Sequence, residues 1–167
     1  MCIRDRPVAV CGVDVAAPGQ ARRRRRDGRK PSIDEMLKVF RNVLTPNERA
    51  AVENAAGDDE AKEDVFRRHW SLKEALVKAM GVGLAMDLNR ADFECEDEGV
   101  RLAGTAVPRG RLPGGVETAT LRLDGEPKTR WRFFMQPLGV RESENGGGRH
   151  WVTVSRGPFE DLSLIHI

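Results

Sequence analysis

The chain has 167 residues, 32% of them charged, and its 28 Lys and Arg nearly balance 26 Asp and Glu for a formal net charge of +2. That balance supplies no global field for nucleic acid or membrane surfaces, and no apolar run reaches the roughly 18 residues that a spanning helix needs. Cys2, Cys11 and Cys95 lack the spacing of a metal site or disulfide framework, which fits a reducing, cytoplasmic compartment.

The two ends are read first because they are related through DNA. A strand ATG TGT ATA AGA GAC AG encodes residues 1–6, and its reverse complement, CTG TCT CTT ATA CAC AT, encodes residues 162–167. The inverted sequence resembles a transposon mosaic end used to prepare sequencing libraries, so both hexapeptides are expected to be translated adapter and are set aside. Residues 7–161 remain, long enough for one domain with a core, and targeting cannot be read from this N-terminus.

Residues 7–15 are rich in valine and alternate weakly, which predicts a short buried strand ending near Asp14. From 17 to 31 the composition shifts to Pro, Gly and five consecutive arginines, Arg22 through Arg26, predicting a solvated, mobile loop. Ser32 with Glu35, and Thr45 with Pro46 and Glu48, are start signals for two short helices. A longer helix is predicted from Glu60 to Met80, closed by Gly81 in left-handed geometry. Its apolar stripe comprises Val65, Phe66, His69 or Trp70, Leu72, Leu76, Val77 and Met80. His69 reads as a surface or boundary residue and Trp70 as core.

Short extended runs follow at 93–96, 100–103, 118–123, 130–136 and 150–155, with a turn signal at Asp124-Gly125, where the spacer to Arg130 predicts a loop longer than two residues, and a flexible tip at 146–148. Helices followed by an antiparallel sheet define an α+β fold, the sheet packed on the long helix.

The chemistry concentrates in Trp70-Ser71-Leu72-Lys73-Glu74-Ala75-Leu76-Val77-Lys78, where Glu74 and Lys78 are four apart on one side of a helix. If that helix crosses the sheet, Asp14 at a strand end can join Glu74, and two carboxylates with water and phosphate oxygens are what Mg²⁺ takes. Lys73 and Lys78 suit the remaining charge of a pyrophosphate. By spacing alone, Glu74 and Lys78 read more readily as a solvated helix pair contributing about 0.2 to 0.5 kcal/mol, and Asp14 more readily as a turn or cap residue than as a ligand.

Gly12-Val13-Asp14, the run from Phe66 to Leu84, Asp87-Leu88-Asn89-Arg90, Phe93, Leu121-Arg122-Leu123-Asp124-Gly125 and Trp131 together resemble the 4′-phosphopantetheinyl transferases. The likeness spans roughly 8–154 and is closest to the monomeric, pseudo-dimeric type, within it the eukaryotic aminoadipate-semialdehyde dehydrogenase type. The resemblance implies a transferase that moves the phosphopantetheine arm of coenzyme A onto a serine of an apo carrier protein and releases adenosine 3′,5′-bisphosphate. It implies Asp14 and Glu74 as Mg²⁺ ligands, Glu74 also as general base, and Lys78 on the coenzyme A phosphates. Lys73 is a further phosphate or carboxylate partner.

One departure is Ala16, where many members carry a second acid two residues after the aspartate. The resemblance also implies that residues 7–161 are a C-terminal half of a pseudo-twofold protein that is monomeric at full length. The other half would hold a histidine motif and basic residues for the adenine end of coenzyme A. The chain alone is then expected to be inactive or poorly soluble. Carrier proteins of this pathway, serving fatty-acid, polyketide or peptide synthesis or lysine metabolism, are acidic, so the arginine run can steer them. Nucleic acid is not a partner, because no aromatic or glycine-rich readout motif accompanies the arginines. The competing reading is a noncatalytic module of the same fold that binds an acidic partner.

Overall fold

The computed structural model describes residues 9–19, 22, 26–95, 116–138 and 150–158. Strand β1 (Ala9–Ala16) is followed by helices α1 (Ile33–Val39), α2 (Pro46–Glu53) and α3 (Asp59–Met80). Two 3₁₀ turns (Gly83–Ala85 and Leu88–Arg90) lead into β2 (Ala91–Cys95), β3 (Glu117–Leu123), β4 (Glu126–Pro127), β5 (Arg132–Leu138) and β6 (His150–Pro158). The strands form one antiparallel sheet in the order β1-β6-β5-β3-β2, with β4 paired to β3. The expected α+β architecture, a sheet on a long helix, is therefore the one observed. The expected strand at 100–103 and the tip at 146–148 lie outside the described residues.

Local chemistry sets the helix ends. Ser32 accepts from the Glu35 amide at 3.2 Å while Glu35 accepts from the Ser32 amide at 2.9 Å, and Thr45 and Glu48 form the same reciprocal box. Asp58 caps α3 through the amides of Glu60 and Ala61, and Gly81 ends it at φ 69°, a conformation that penalises a Cβ. The hairpin between β3 and β4 turns on Asp124 (φ 55°) and Gly125 (φ 82°), the positive pair a two-residue turn requires.

Helix α3 lies between two apolar layers. Leu72, Ala75, Leu76, Ala79 and Met80 pack on the sheet with Ala91, Phe93, Leu121, Phe133, Met135 and Trp151. Phe66, with Val65 and Trp70 at its flank, packs against Ile33, Met36, Leu37, Leu44 and Val52 of the α1–α2 layer. Burial on two sides corrects the expectation for His69: it is 4% exposed, because α2 covers the helix face that one stripe would leave in water.

The arginine loop is also corrected in part. Arg22 is 4% exposed, and its guanidinium donates to Pro31 O at 2.7 Å and to Asp59 O and Asp59 Oδ2 at 3.0 Å each. It also meets the fully buried Glu63 at 3.4 Å, and Glu63 in turn accepts from the Gly19 amide at 3.0 Å. Arg26 is exposed, as a solvated loop requires, and 23–25 lie outside the described residues.

The sheet approaches α3 most closely at Gly12. A Cβ there would stand 2.0 Å from Ala75 O and 2.5 Å from Ala79 N, so backbone packs on backbone. Ser155, paired across the sheet with Gly12, donates from Oγ to Ala75 O at 2.8 Å, with Gly12 O at 3.3 Å. The opposite face of β1 carries Val13 and Val15, exposed at 49% and 52%.

Gly12→Ala is expected to force the helix off the strand and to cost about 1 to 3 kcal/mol or more, read as a fall in urea midpoint; an unchanged midpoint contradicts this packing. Arg22→Met should cost about 1 to 3 kcal/mol, because it leaves the acceptors Pro31 O and Asp59 without their donor, while Glu63 keeps Lys30 at 3.2 Å and Arg67 at 3.6 Å. Arg26→Met should stay within about 0.5 kcal/mol. Equal effects of the two substitutions on the midpoint would restore the uniformly solvated loop.

Candidate active site

The close crossing at Gly12 decides what meets at the C-terminal end of α3. Asp14 is two residues further along β1, so it shares the helix-facing side of the strand with Gly12 and Ala16, and it is 8% exposed. Lys78 is one residue before Ala79, whose amide faces Gly12, and its ammonium lies 2.8 Å from Asp14 Oδ1. Glu74 is one turn earlier on the same side of the helix.

Burial, and after it the negative charge of Asp14, pushes the Glu74 carboxyl above its ordinary range, while Lys78 opposes the shift. The two carboxylates therefore sense each other. Two carboxylates and one ammonium sum to one negative charge, which a hard cation with oxygen preference complements. Ala16 is a fully buried core residue, and among the described residues no group of three His, Cys, Asp or Glu side chains converges. Asp14 and Glu74 are thus the carboxylates available, and water or phosphate oxygens must complete any octahedral set.

Glu74 and Lys78 line a cleft of about 590 Å³ whose other walls are Asn42, Val77, Gly81, Gly83, Met86, Asp87 and Leu88. Its far wall is the segment of 3₁₀ turns after α3. Asn89 ties that segment to α1's following loop through Asn42 O at 2.8 Å, and Arg90 ties it to Asp124 through two bonds of 2.8 and 2.7 Å.

Lys73 does not join this cleft. Successive helical residues diverge by about 100°, and Lys73 points the other way, fully buried, with its ammonium 2.9 Å from Glu48 Oε2. It also donates to Leu88 O at 2.8 Å and Ala91 O at 2.5 Å. The carboxylate partner expected for it exists and is Glu48. The phosphate role expected for it is corrected, since all three donors of a buried ammonium are taken.

Glu48 was legible in the sequence as a capping residue and not as the partner of Lys73. It accepts from the Thr45 amide at 2.9 Å and the Phe93 amide at 3.0 Å. Burial raises the Glu48 pKa and lowers that of Lys73, and their mutual attraction acts against both shifts. His69, 3.8 Å from Glu48, is pushed down to about 4 by burial and then by the charges of Arg68 and Lys73, so it is neutral at physiological pH. It borders a second cavity of about 570 Å³ with Asn47, Arg68, Asp92 and Arg122, which shares no residue with the Glu74 cleft.

An α+β domain whose central helix brings a carboxylate and a lysine to a strand-end aspartate, beside an open cleft, is the class of protein described so far. The chain belongs to the 4′-phosphopantetheinyl transferase superfamily, whose family model matches residues 10–153. It is similar to the L-aminoadipate-semialdehyde dehydrogenase-phosphopantetheinyl transferase of Rattus norvegicus, 31% identical over 102 residues that make up 61% of this chain and 29% of that protein. It is likewise similar to a phosphopantetheinyl transferase of Thraustochytrium sp., 32% identical over 112 residues, 64% of this chain and 32% of that one. A holo-[acyl-carrier-protein] synthase of Levilactobacillus brevis is 34% identical over 84 residues, 50% of this chain and 65% of that one. The chain spans about a third of the length of the first two relatives.

The raised pKa of Glu74 has a stability consequence. An acid whose folded value lies above its ordinary 4.5 stabilises the fold fully below pH 4.5 and loses that contribution as pH rises through the folded value. Glu74→Gln should therefore melt at a higher temperature than wild type at pH 7, the gap closing below pH 4.5. A variant that melts lower than wild type at pH 7 contradicts the charge arrangement.

Proposed function

We propose that this chain carries the metal and acid–base centre of an enzyme that transfers the 4′-phosphopantetheine arm of coenzyme A to a serine of an apo carrier protein. The observation that carries the reading is that Glu74 and Lys78 line one cleft while the buried Asp14 behind them pairs with Lys78 and acts on Glu74 through its charge. Asp14 and Glu74 would hold Mg²⁺, their oxygen donors and net negative charge fitting that ion. When bound, Mg²⁺ supplies charge neutralisation to a pyrophosphate and its leaving group.

The serine hydroxyl attacks the phosphorus that carries the pantetheine arm, a new P–O bond forms, and the pyrophosphate P–O bond breaks. Adenosine 3′,5′-bisphosphate leaves with the bonding pair. Glu74 accepts the serine proton, a role suited by a carboxyl whose pKa lies above its ordinary range. Lys78, with its side chain 48% exposed at the cleft, offers its ammonium to the coenzyme A phosphates.

The names of the relatives contain L-aminoadipate-semialdehyde dehydrogenase and acyl carrier protein, and a carrier of one of these kinds, acidic and cytoplasmic, is the proposed acceptor. The exposed Val13 and Val15 support a further half of the protein packing on the outer face of β1, completing the coenzyme pocket of a monomer.

The test is phosphopantetheine transfer by the full-length gene product, followed as the mass gain of an apo carrier protein. Glu74→Gln and Asp14→Asn should each lower kcat/KM by about 10²- to 10⁴-fold with the fold intact, and chelation of divalent cations should stop transfer until Mg²⁺ is returned. Full turnover by Glu74→Gln removes Glu74 from the chemistry, and absence of any transfer by wild type favours a noncatalytic module of this fold.

A further inference from the structure

Lys73 stands next to Glu74 in sequence, has its ammonium wholly buried, and spends that ammonium on the backbone of the segment that walls the cleft. Its acceptors Leu88 O and Ala91 O bracket the second 3₁₀ turn, at 2.8 and 2.5 Å. Its third donor goes to Glu48 at 2.9 Å, and Glu48 is itself fixed by two amides, one at the start of α2 and one in β2. One ammonium thus joins α3, α2, β2 and the cleft wall.

The wall gains from such a fastening. It leaves α3 through Gly81 at φ 69° and Gly83 at φ 57°, two positions with no side chain to restrict them. Met86 is buried in the core, Leu88 packs against it and the Asp124 amide donates to Arg90 O at 2.9 Å, but the side-chain tethers Asn89 to Asn42 and Arg90 to Asp124 are exposed, and exposed pairs contribute little. The Lys73 bonds are desolvated, where a hydrogen bond to a charged group is stronger.

We propose that Lys73, held by Glu48, is a positioning residue that sets the wall at Gly83, Met86, Asp87 and Leu88 against Glu74 and Lys78 and so keeps the cleft shaped for its pyrophosphate ligand. The inference rests on the transferase reading for the identity of that ligand as coenzyme A. Lys73 touches neither the ligand nor the reacting atoms; it acts through the backbone of residues 88 and 91.

The experiment uses the full-length gene product. Removing Lys73 alone would strand a buried carboxylate, so the variant is the pair Glu48→Gln with Lys73→Met, which removes both charges together. If the wall is ordered in about a tenth of the variant molecules, the KM for coenzyme A rises about tenfold, while KM for the carrier protein does not move and kcat changes less. Hydrogen exchange at residues 83–90 speeds up, and exchange in β5 and β6 does not.

A wild-type KM for coenzyme A together with wild-type exchange at 83–90 overturns the proposal. Should the pair variant not fold, Lys73→Arg decides, since it keeps the charge but cannot set the same three donors on Glu48, Leu88 O and Ala91 O: faster exchange at 83–90 with a raised KM for coenzyme A supports the fastening, and wild-type values of both refute it. Absence of transfer by wild type defeats the transferase reading, and the exchange contrast then still decides whether Lys73 holds the wall.

Discussion

Helix α3 can lie directly on β1 because residue 12 has no side chain, and the site follows from that approach. Any Cβ at this position would collide with the backbone of Ala75 and Ala79, and no rotamer change relieves a clash with backbone. Ser155 reinforces the crossing from the neighbouring strand by donating to Ala75 O. With the crossing fixed, the alternation of β1 places Asp14 on the same side, and the helical repeat brings Glu74 and Lys78 to it. A larger residue at 12 would separate the acids while leaving each in its own regular element.

The same helix sorts its charges by depth. At its N-terminal end, the partly exposed Asp59 and the buried Glu63 receive the buried guanidinium of Arg22 from the loop after β1. In its middle, Lys73 and Glu48 are sealed from solvent and bonded to backbone. At its C-terminal end, Glu74 and Lys78 open onto a cleft with Asp14 buried behind them, and there burial together with Asp14 leaves Glu74 short of cationic compensation. Fully partnered charges hold the fold, whereas the incompletely balanced set is the one with capacity to bind something.

Local signals were readable from the sequence. Ser32 with Glu35, Thr45 with Glu48, the Gly81 terminus and the Asp124-Gly125 turn each depend on residues within one turn of chain, and each is present. The meeting of Asp14 with Glu74 and Lys78 was legible through spacing and family likeness together. Gly12 lay in the quoted motif, but its steric reason needs the helix in place. Arg22, His69 and the phosphate role of Lys73 were misjudged for a shared reason: their environment is created by segments folding onto α3 away from its sheet-facing stripe, the loop after β1 for Arg22, α2 for His69, and α2 with residues 88–91 for Lys73. Periodicity reports one apolar stripe and is blind to polar residues buried on a second face. Arg22 differs from Arg26 in partners and not in type, so composition could not separate them.

The central claim is that Asp14 and Glu74 jointly hold one divalent cation. Mn²⁺ in place of Mg²⁺ makes this directly measurable by the loss of its free-ion electron paramagnetic resonance signal on binding to the full-length protein. Wild type should take up one Mn²⁺ that Mg²⁺ displaces, and both Asp14→Asn and Glu74→Gln should lose it while remaining folded. Mn²⁺ bound as tightly by both variants as by wild type, or not bound by wild type with coenzyme A present, would contradict a shared ion.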